Sequence, residues 1–157
     1  MKTSKIFILL LASLLIAGCK QNNWLDWKTQ NEVWLVENAK KEGVITTPTG
    51  LQYKCISKGP ETNSARPDIS KYVTTAYTGQ LINGYTFDSS DSAYMAVSQL
   101  VSGFAEGLKK MKEFDTYEFY IPYNLGYGIA GSGTEGTTSH IPPYSTLIFR
   151  VYLMDIQ

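Results

Sequence analysis

The sequence has few of the residues on which most enzyme active sites depend. Its 157 residues include one histidine, His140, and two cysteines, Cys19 and Cys55. A Ser-His-Asp triad needs a histidine aligned with both a nucleophile and an acid, and no Gly-x-Ser-x-Gly elbow precedes a helical pattern. The glycine-rich segment 126–136 lacks the Gly-Lys-Ser/Thr ending of a phosphate-binding loop. The sequence therefore predicts no catalytic triad, no metal site and no cofactor.

Long apolar runs are also missing. The longest, residues 6–17, is about a dozen residues, which is the length of a signal-peptide core and too short for a transmembrane helix. Lys2 and Lys5 precede it, and small residues lead from it to Cys19. This segment resembles the lipobox of bacterial lipoproteins, in which the cysteine is acylated. We expect a lipoprotein signal peptide over residues 1–18 and a lipid anchor at Cys19; the alternative is an ordinary cleaved signal with a chance cysteine.

An excess of one charge is absent as well. Lys and Arg total 14, as do Asp and Glu, and loss of the leader with Lys2 and Lys5 would leave 12 basic against 14 acidic residues. This balance does not favour nucleic acid as a partner. We assign residues 19–47 to the anchor, a linker and an N-terminal helix, and residues 48–157 to one folded domain. With Cys19 acylated, Cys55 is unpaired and is expected to be a small buried apolar residue.

An amphipathic helix is predicted from Trp24 to Lys41, and Gly43 is expected to end it. Apolar residues recur there at roughly helical spacing, with charged residues over much of the remainder. The apolar positions are Trp24, Trp27, Val33, Trp34, Leu35 and Ala39, and Asn31 interrupts them. The tryptophans need cover, so they pack either on the domain's own sheet or on a partner, as a homodimer or client-binding face.

Beyond a turn at residues 46–50 the pattern changes to short strands around one helix. Segments 51–57, 71–80, 85–88, 115–121 and 145–156 are rich in β-branched and aromatic residues or alternate in polarity. Asn83-Gly84 marks a tight hairpin turn. Residues 100–112 have the spacing of a helix with one apolar face, formed by Val101, Phe104, Leu108 and Met111. These elements indicate an α+β fold with an antiparallel sheet.

Aromatic residues are abundant, with eleven Tyr, six Phe and three Trp. A pocket lined in this way suits an apolar ligand or a peptide that must be desolvated. Asp88 and Asp91 are a candidate carboxylate pair, but they flank Ser89-Ser90. That pattern favours local hydrogen bonding in a turn over acid–base chemistry.

The order of motifs resembles that of FKBP-type peptidyl-prolyl isomerases. Tyr77-Thr78-Gly79 and segment 83–90 (NGYTFDSS) resemble the family's Y-T-G…D-G-x-x-F-D-S-S signature. Segment 99–111 (QLVSGFAEGLKKM) resembles its Q-V-I-x-G-W-x-E-G-L-x-x-M helix. Segments 121–128 and 141–149 resemble I-P…L-A-Y-G and I-P-P-x-S-T-L-I-F. Together the motifs cover about residues 50–156, and segment 37–44 is similar to the lead-in of bacterial envelope members with an N-terminal helix.

The resemblance implies an FKBP-like antiparallel sheet wrapped around one short α-helix, preceded by the N-terminal amphipathic helix, with a pocket between sheet and short helix. The implied catalytic residues are Tyr77, Phe87, Asp88 and Tyr127. The implied substrate-binding residues are Leu100, Val101, Phe104, Ile141 and Phe149. Phe104 would be the floor, and Tyr127 and the backbone N–H of Ile141 would donate hydrogen bonds to substrate carbonyls. The other aromatic side chains would be walls, with Asp88 as a polar group among them.

The implied activity is peptidyl-prolyl cis-trans isomerisation of proline-containing envelope proteins. Rotation about an X–Pro bond faces a barrier of roughly 18–20 kcal/mol and takes about 10–100 s without a catalyst, but it needs no proton transfer or nucleophile. An apolar pocket that favours the twisted amide therefore fits a chain rich in aromatics and poor in histidine. The implied location is the cell envelope, on the outer membrane facing the periplasm, through the anchor at Cys19.

Two departures from the family pattern bear on this activity. The floor is usually Trp but here is Phe104, and residues 93–97 replace the usual aromatic-rich strand, so that Tyr94 or Met95 forms one wall. One alternative is a catalytically weak FKBP-fold binding module or chaperone. Another is a structural lipoprotein that assembles through its tryptophan-bearing helix.

Overall fold

Two helices and six strands form the part of the chain that the computed structural model describes, residues 24–60 and 65–157. They follow one another as α1 (Trp24–Asn38), β1 (Ile45–Thr46), β2 (Gln52–Ser57), β3 (Tyr72–Gln80), β4 (Thr86–Ala96), α2 (Ser102–Leu108), β5 (Thr116–Ile121) and β6 (Leu147–Ile156). Short 3-10 helices lie at Val97–Gln99 and Tyr123–Leu125. The predicted signal peptide and Cys19 lie outside the described residues.

The strands form one antiparallel sheet in the order β1-β2-β5-β6-β3-β4, which confirms the predicted α+β fold. The predicted hairpin turn joins β3 to β4, where the Gly84 N–H donates to the Leu81 carbonyl at 2.9 Å. Gly84 has a φ of 83°, in the left-handed region that glycine adopts at little cost. Turn chemistry therefore predicted this connection correctly.

The expectation that Asp88 and Asp91 lie in a turn is wrong, because both are inside β4. Asp88 is opposite Gly79 of β3, Ser90 is opposite Tyr77, and the register then shifts at Asp91 and Ser92. Aspartate and serine are turn formers in isolation, but pairing along β3 satisfies the backbone of this segment. Tertiary context overrides local preference here.

Helix α2 packs on the face of the sheet that the alternation predicted to be buried. Tyr117, Phe119 and Ile121 of β5 are at most 4% exposed. A Cβ on Gly107 would lie 2.8 Å from the Phe119 ring, and one on Gly103 would lie 2.4 Å from Cγ2 of Ile121. The two glycines let α2 approach β5 closely. The helix, Ser102–Leu108, is shorter than the predicted span, residues 100–112, and at its start this is because Leu100 and Val101 do not have helical backbone angles.

Helix α1 packs on the opposite face of the sheet. The ring of Trp34 lies 5.7 Å from that of Tyr120, and Tyr120 points away from α2 because successive side chains of a strand alternate. The Nε1–H of Trp27 donates to Ser145 at 3.0 Å. These two tryptophans therefore pack on the domain itself, as one of the two alternatives predicted.

The buried face of α1 departs from the predicted one at three positions. Val33 and Ala39, assigned to the apolar face, are exposed, whereas Asn31, read as an interruption, is fully buried. The helix also ends at Asn38, earlier than the predicted Lys41. The period and most of the face were read correctly, since Trp27, Trp34 and Leu35 are half-buried. Apolarity alone could not assign the asparagines, which are buried because they make hydrogen bonds to the domain.

No helix within the described ranges is both long enough and apolar enough to span a membrane. Cys55 is free and half-buried, and it packs against the core. It is thus less buried than expected. Residues 61–64 also lie outside the described residues.

Candidate active site

A cavity of about 230 Å³ opens between the start of α2 and the sheet. Its lining residues are Tyr77, Asp88, Met95, Gln99, Leu100, Val101, Phe104, Tyr127 and Phe149. Seven of the nine residues that the family resemblance implied are among them. Of the implied residues, Phe87 and Ile141 do not line the cavity.

Phe104 lies at the bottom of the cavity and is 4% exposed. Its ring stands nearly perpendicular to those of Phe149, 4.8 Å away, and Phe119, 5.6 Å away, with Tyr77 at 6.2 Å. Edge-to-face contacts of this kind are favourable and directional. The floor is therefore held by rings from β3, β5 and β6, and its position does not depend on an indole N–H.

Phe87 lies behind the wall and not on it. It is 7% exposed, and its ring meets Phe149 edge-to-face at 5.5 Å. Gly79 makes this contact possible, since a Cβ there would lie 2.7 Å from both rings. The implied wall position of Phe87 is thus corrected: the crowded β3–β4 pairing turns it inward, where it supports Phe149.

Tyr77 and Asp88 form a hydrogen-bonded pair at the cavity. The Tyr77 hydroxyl donates to Oδ2 of Asp88 at 2.7 Å. Burial raises the pKa of Tyr77 well above its ordinary value, and the hydrogen bond to Asp88 and its negative charge add to this. The phenol therefore stays neutral at physiological pH, and its proton is already committed to Asp88.

Tyr127 differs from Tyr77 in having a hydroxyl without a hydrogen-bond partner among the described residues. It follows the 3-10 helix at Tyr123–Leu125 and is 39% exposed. Burial raises its pKa, and the charge of Asp88 raises it further. A neutral phenol with an uncommitted proton is a hydrogen-bond donor available to a bound molecule.

The backbone N–H of Ile141 is not available as the implied donor. It donates to the Ser132 carbonyl at 2.8 Å, the Ser132 N–H returns a bond at 2.9 Å, and Ile141 is 4% exposed. Val101, which precedes α2 and lines the cavity, has an N–H with no acceptor within the described residues. The motif resemblance could not reveal that the N–H of Ile141 is already bonded, because this depends on how the loop between Ser132 and Ile141 folds back on itself.

Met95 and Gln99 line the cavity in addition to the implied residues. The sequence offered Met95 or Tyr94 as one wall, and the structure places Met95 there, while Tyr94 stacks on Tyr72 at 5.2 Å. Gln99, which begins the helix motif, was not singled out. The side-chain alternation of β4 could have separated Met95 from Tyr94, but only with the register known.

The cavity offers apolar surface and hydrogen-bond donors but little acid–base chemistry. Asp88 is its one carboxylate, and it already accepts from Tyr77. Within residues 24–60 and 65–157, no group of three His, Cys, Asp or Glu side chains could hold a metal ion. Such a site can desolvate a peptide and bind its carbonyl oxygens.

Comparison with known proteins agrees with this geometry. The family described as FKBP-type peptidyl-prolyl cis-trans isomerase matches residues 63–154, and the domain amino terminal to FKBP-type peptidyl-prolyl isomerase matches residues 19–55. The crystal structure of FkpA from Escherichia coli superposes with a TM-score of 0.76 and 33% identity, over 85% of this chain and 60% of that one.

Curated relatives extend the match. The probable FKBP-type isomerase FkpA of Neisseria meningitidis is 41% identical over 82% of this chain and 46% of its own length. The 22 kDa FKBP-type isomerase of Escherichia coli is 42% identical over 78% of this chain and 58% of its own. Outer membrane protein MIP of Legionella longbeachae is 37% identical over 83% and 54%. The chain spans about half the length of these relatives, and it belongs to the FKBP-type peptidyl-prolyl cis-trans isomerase family.

Proposed function

We propose that this protein catalyses cis-trans isomerisation of X–Pro bonds in polypeptides bound in the cavity between α2 and the sheet. The observation that carries the proposal is the combination of an aromatic floor with the uncommitted Tyr127 hydroxyl beside it. Isomerisation requires only that the amide be twisted out of resonance. An apolar, donor-bearing cavity is sufficient for this.

In this mechanism the proline ring packs on Phe104, between Tyr77 and Phe149. Desolvation disfavours the planar, more polar amide relative to the twisted one, which lowers the rotational barrier. Tyr127 and the N–H of Val101 donate to substrate carbonyls and hold the chain in a turn. Asp88 keeps the Tyr77 ring oriented, Leu100 adds apolar surface, and Phe87 supports Phe149 from behind.

Turnover of a proline tetrapeptide series by the full chain tests the proposal. Loss of the hydroxyl in Tyr127→Phe is expected to lower kcat/KM roughly three- to tenfold, the effect of one net hydrogen bond. Tyr94→Phe is the matched control, because its hydroxyl meets Gln157 away from the cavity. A folded wild-type chain without turnover would overturn the enzymatic proposal. Peptide binding by such an inactive chain would then indicate a binding module.

We further propose that Cys19 carries a lipid that anchors the protein in a bacterial envelope, on the outer membrane. Support comes from the leader sequence and from the name of the Legionella relative, an outer membrane protein. Cys19→Ser should abolish incorporation of labelled palmitate and release the protein from the membrane fraction. Unchanged fractionation and labelling would contradict the anchor. The division of the chain into a signal peptide (1–18), an anchor with linker and helix (19–47) and a folded domain (48–157) also stays a prediction.

A homodimer through α1, if formed, would use the helix face that the domain leaves uncovered. Leu25, Val33 and Val36 are more than half exposed and lie on one side of the helix, whereas Trp27 and Trp34 pack on the domain. Sedimentation of the wild type beside Val33→Asp tests this proposal. A monomeric wild type at high concentration would exclude it.

A further inference from the structure

Helix α1 is held against the segment that precedes β6, and this segment is bonded to the loop that carries Tyr127. We propose that Asn31 and Trp27 of α1 are positioning residues for Tyr127, acting through residues 144–146, here termed the clamp segment. This inference rests on the proposed isomerase function for its kinetic consequence. Its structural part stands independently of that function.

The first link joins α1 to the clamp segment. Oδ1 of Asn31 accepts from the backbone N–H of Thr146 at 2.7 Å, and both residues are fully buried. The Nε1–H of Trp27 donates to Oγ of Ser145 at 3.0 Å, and Ser145 in turn donates to the Pro142 carbonyl at 2.7 Å. One turn of α1 therefore binds two consecutive residues of the clamp segment.

The second link joins the clamp segment to Tyr127. The N–H of Tyr144 donates to the carbonyl of Gly128 at 3.0 Å, next to Tyr127 in the chain. Gly128 also donates to the Tyr123 carbonyl at 2.8 Å, and the rings of Tyr123 and Tyr144 meet edge-to-face at 5.3 Å. The backbone beside Tyr127 is thus bonded from both sides.

Tyr144 shows that the clamp segment is constrained by its surroundings. Its φ is 62°, in the left-handed region that residues other than glycine rarely occupy. Such a conformation persists only where neighbouring contacts impose it. Nζ of Lys28 in α1 lies over the Tyr144 ring, 5.8 Å from its centre. Helix α1 therefore contacts all three residues of the clamp segment.

Removal of the Asn31 side chain should therefore change the orientation of Tyr127. Without Oδ1, the Thr146 N–H is buried with no acceptor, which favours movement of the clamp segment towards water. Tyr144 could then leave its left-handed conformation and release Gly128. The Tyr127 hydroxyl would be present but less well oriented, and orientation is a large part of what a binding site contributes.

The chain offers a matched control in Asn38, a second buried asparagine of the same helix. It is 1% exposed and donates from Nδ2 to Oε1 of Gln52 in β2 at 2.9 Å. Asn31→Ala and Asn38→Ala remove the same atoms from the same helix. Of the two, Asn31 contacts the clamp segment.

The experiment compares kcat/KM of the full chain with that of both variants on a proline tetrapeptide. Asn31→Ala should lose roughly three- to tenfold, the effect of impairing one hydrogen bond, and Asn38→Ala less than about twofold. In a Tyr127→Phe background Asn31→Ala should cause no further loss. Equal losses in the two asparagine variants, or a full further loss in that background, would overturn the proposal.

A spectroscopic readout separates this inference from the isomerase proposal. The ring resonances of Tyr127 in the tyrosine-labelled full chain are assigned by their disappearance in Tyr127→Phe. They should shift in Asn31→Ala and in the milder Trp27→Phe, but not in Asn38→Ala. Such shifts in a chain without turnover would remove the isomerase proposal and leave the positioning role standing. Unshifted resonances in folded Asn31→Ala and Trp27→Phe would overturn the positioning role, whatever the turnover.

Discussion

Helices α1 and α2 lie on opposite faces of one sheet, and different contacts hold them there. Helix α2 buries Phe104, Ala105 and Leu108 and approaches β5 so closely that Gly103 and Gly107 leave no room for a Cβ. Helix α1 meets the domain through buried polar groups, since Asn31 and Asn38 are its two fully covered residues. Helix α2 is held by close apolar packing, whereas α1 adds buried hydrogen bonds to the packing of Trp27 and Trp34.

The difference suits what each helix does. Close apolar packing excludes water and defines the shape of a cavity, and α2 supplies the floor of the candidate site through Phe104. Hydrogen bonds are directional, so the asparagines of α1 fix which part of the helix lies over which segment of the domain. In some proteins a buried polar group fixes the register of a helix in this way, at a cost in stability.

The largest loss of stability is expected for Phe104, the residue of α2 that forms the floor of the cavity. Phe104→Ala should lower the free energy of unfolding by about 3–5 kcal/mol, because it removes a buried ring and leaves a cavity. Urea unfolding followed by circular dichroism measures this, with Phe104→Leu as a smaller change at the same site. A loss below about 1 kcal/mol in Phe104→Ala would show that the floor collapses freely and is not held by its neighbours.

A smaller loss is expected for Gly107→Ala. Helix propensity alone would favour alanine by about 1 kcal/mol, but the added Cβ would lie 2.8 Å from the Phe119 ring. Overpacking of this kind costs about 1–3 kcal/mol. Net destabilisation in urea unfolding is the expected result, and net stabilisation would contradict close packing between α2 and β5.

The hydrogen-bonded pair of Asn38 in α1 and Gln52 in β2 can be changed at one partner or at both. The apolar packing of α2 offers no such comparison. Asn38→Ala should cost about 1–3 kcal/mol, since it leaves Oε1 of Gln52 buried without its donor. Replacing both, as Asn38→Leu with Gln52→Met, should recover most of that loss. Oδ1 of Asn38 has no partner even in the wild type. A double variant no more stable than the single one would argue that the pair contributes more than orientation.

The smallest effect concerns pH. Burial raises the pKa of Tyr77 on the α2 side and of Tyr120 under α1, each helped by a hydrogen bond to a carboxylate. Unfolded tyrosine ionises near pH 10, before the folded groups, so the unfolded chain binds fewer protons above that pH. Stability should be unaffected by these groups below about pH 10 and should fall above it. Urea midpoints between pH 8 and 11 should fall less steeply in Tyr77→Phe and Tyr120→Phe.

Turnover provides the companion measurement. Because Tyr127 has a raised pKa and stays protonated, kcat/KM should be flat between about pH 6 and 9. A bell-shaped profile in that range would indicate acid–base catalysis and contradict the desolvation mechanism.

Most of the cavity could be predicted from motifs, but the state of its groups could not. Phe104 and Tyr127 line the cavity, as expected from neighbours that match a known pattern in order, and their roles in binding stay predictions. Phe87 was misplaced, since only the β3–β4 register shows that it turns behind Phe149. Ile141 was misread because its N–H is taken by Ser132, nine residues earlier, through a loop without periodicity.

The sequence by itself determined the family, through motifs that resemble those of a known family in the same order. It also determined the antiparallel α+β fold, the hairpin at Asn83-Gly84 and the apolar face of α2, which follow from local periodicity and turn chemistry and need only neighbouring residues. The tertiary structure decided what Asn31 does, because its partner Thr146 is 115 residues away. The role of a buried polar side chain depends on its hydrogen-bond partner, and no local pattern in the sequence identifies a partner so far along the chain.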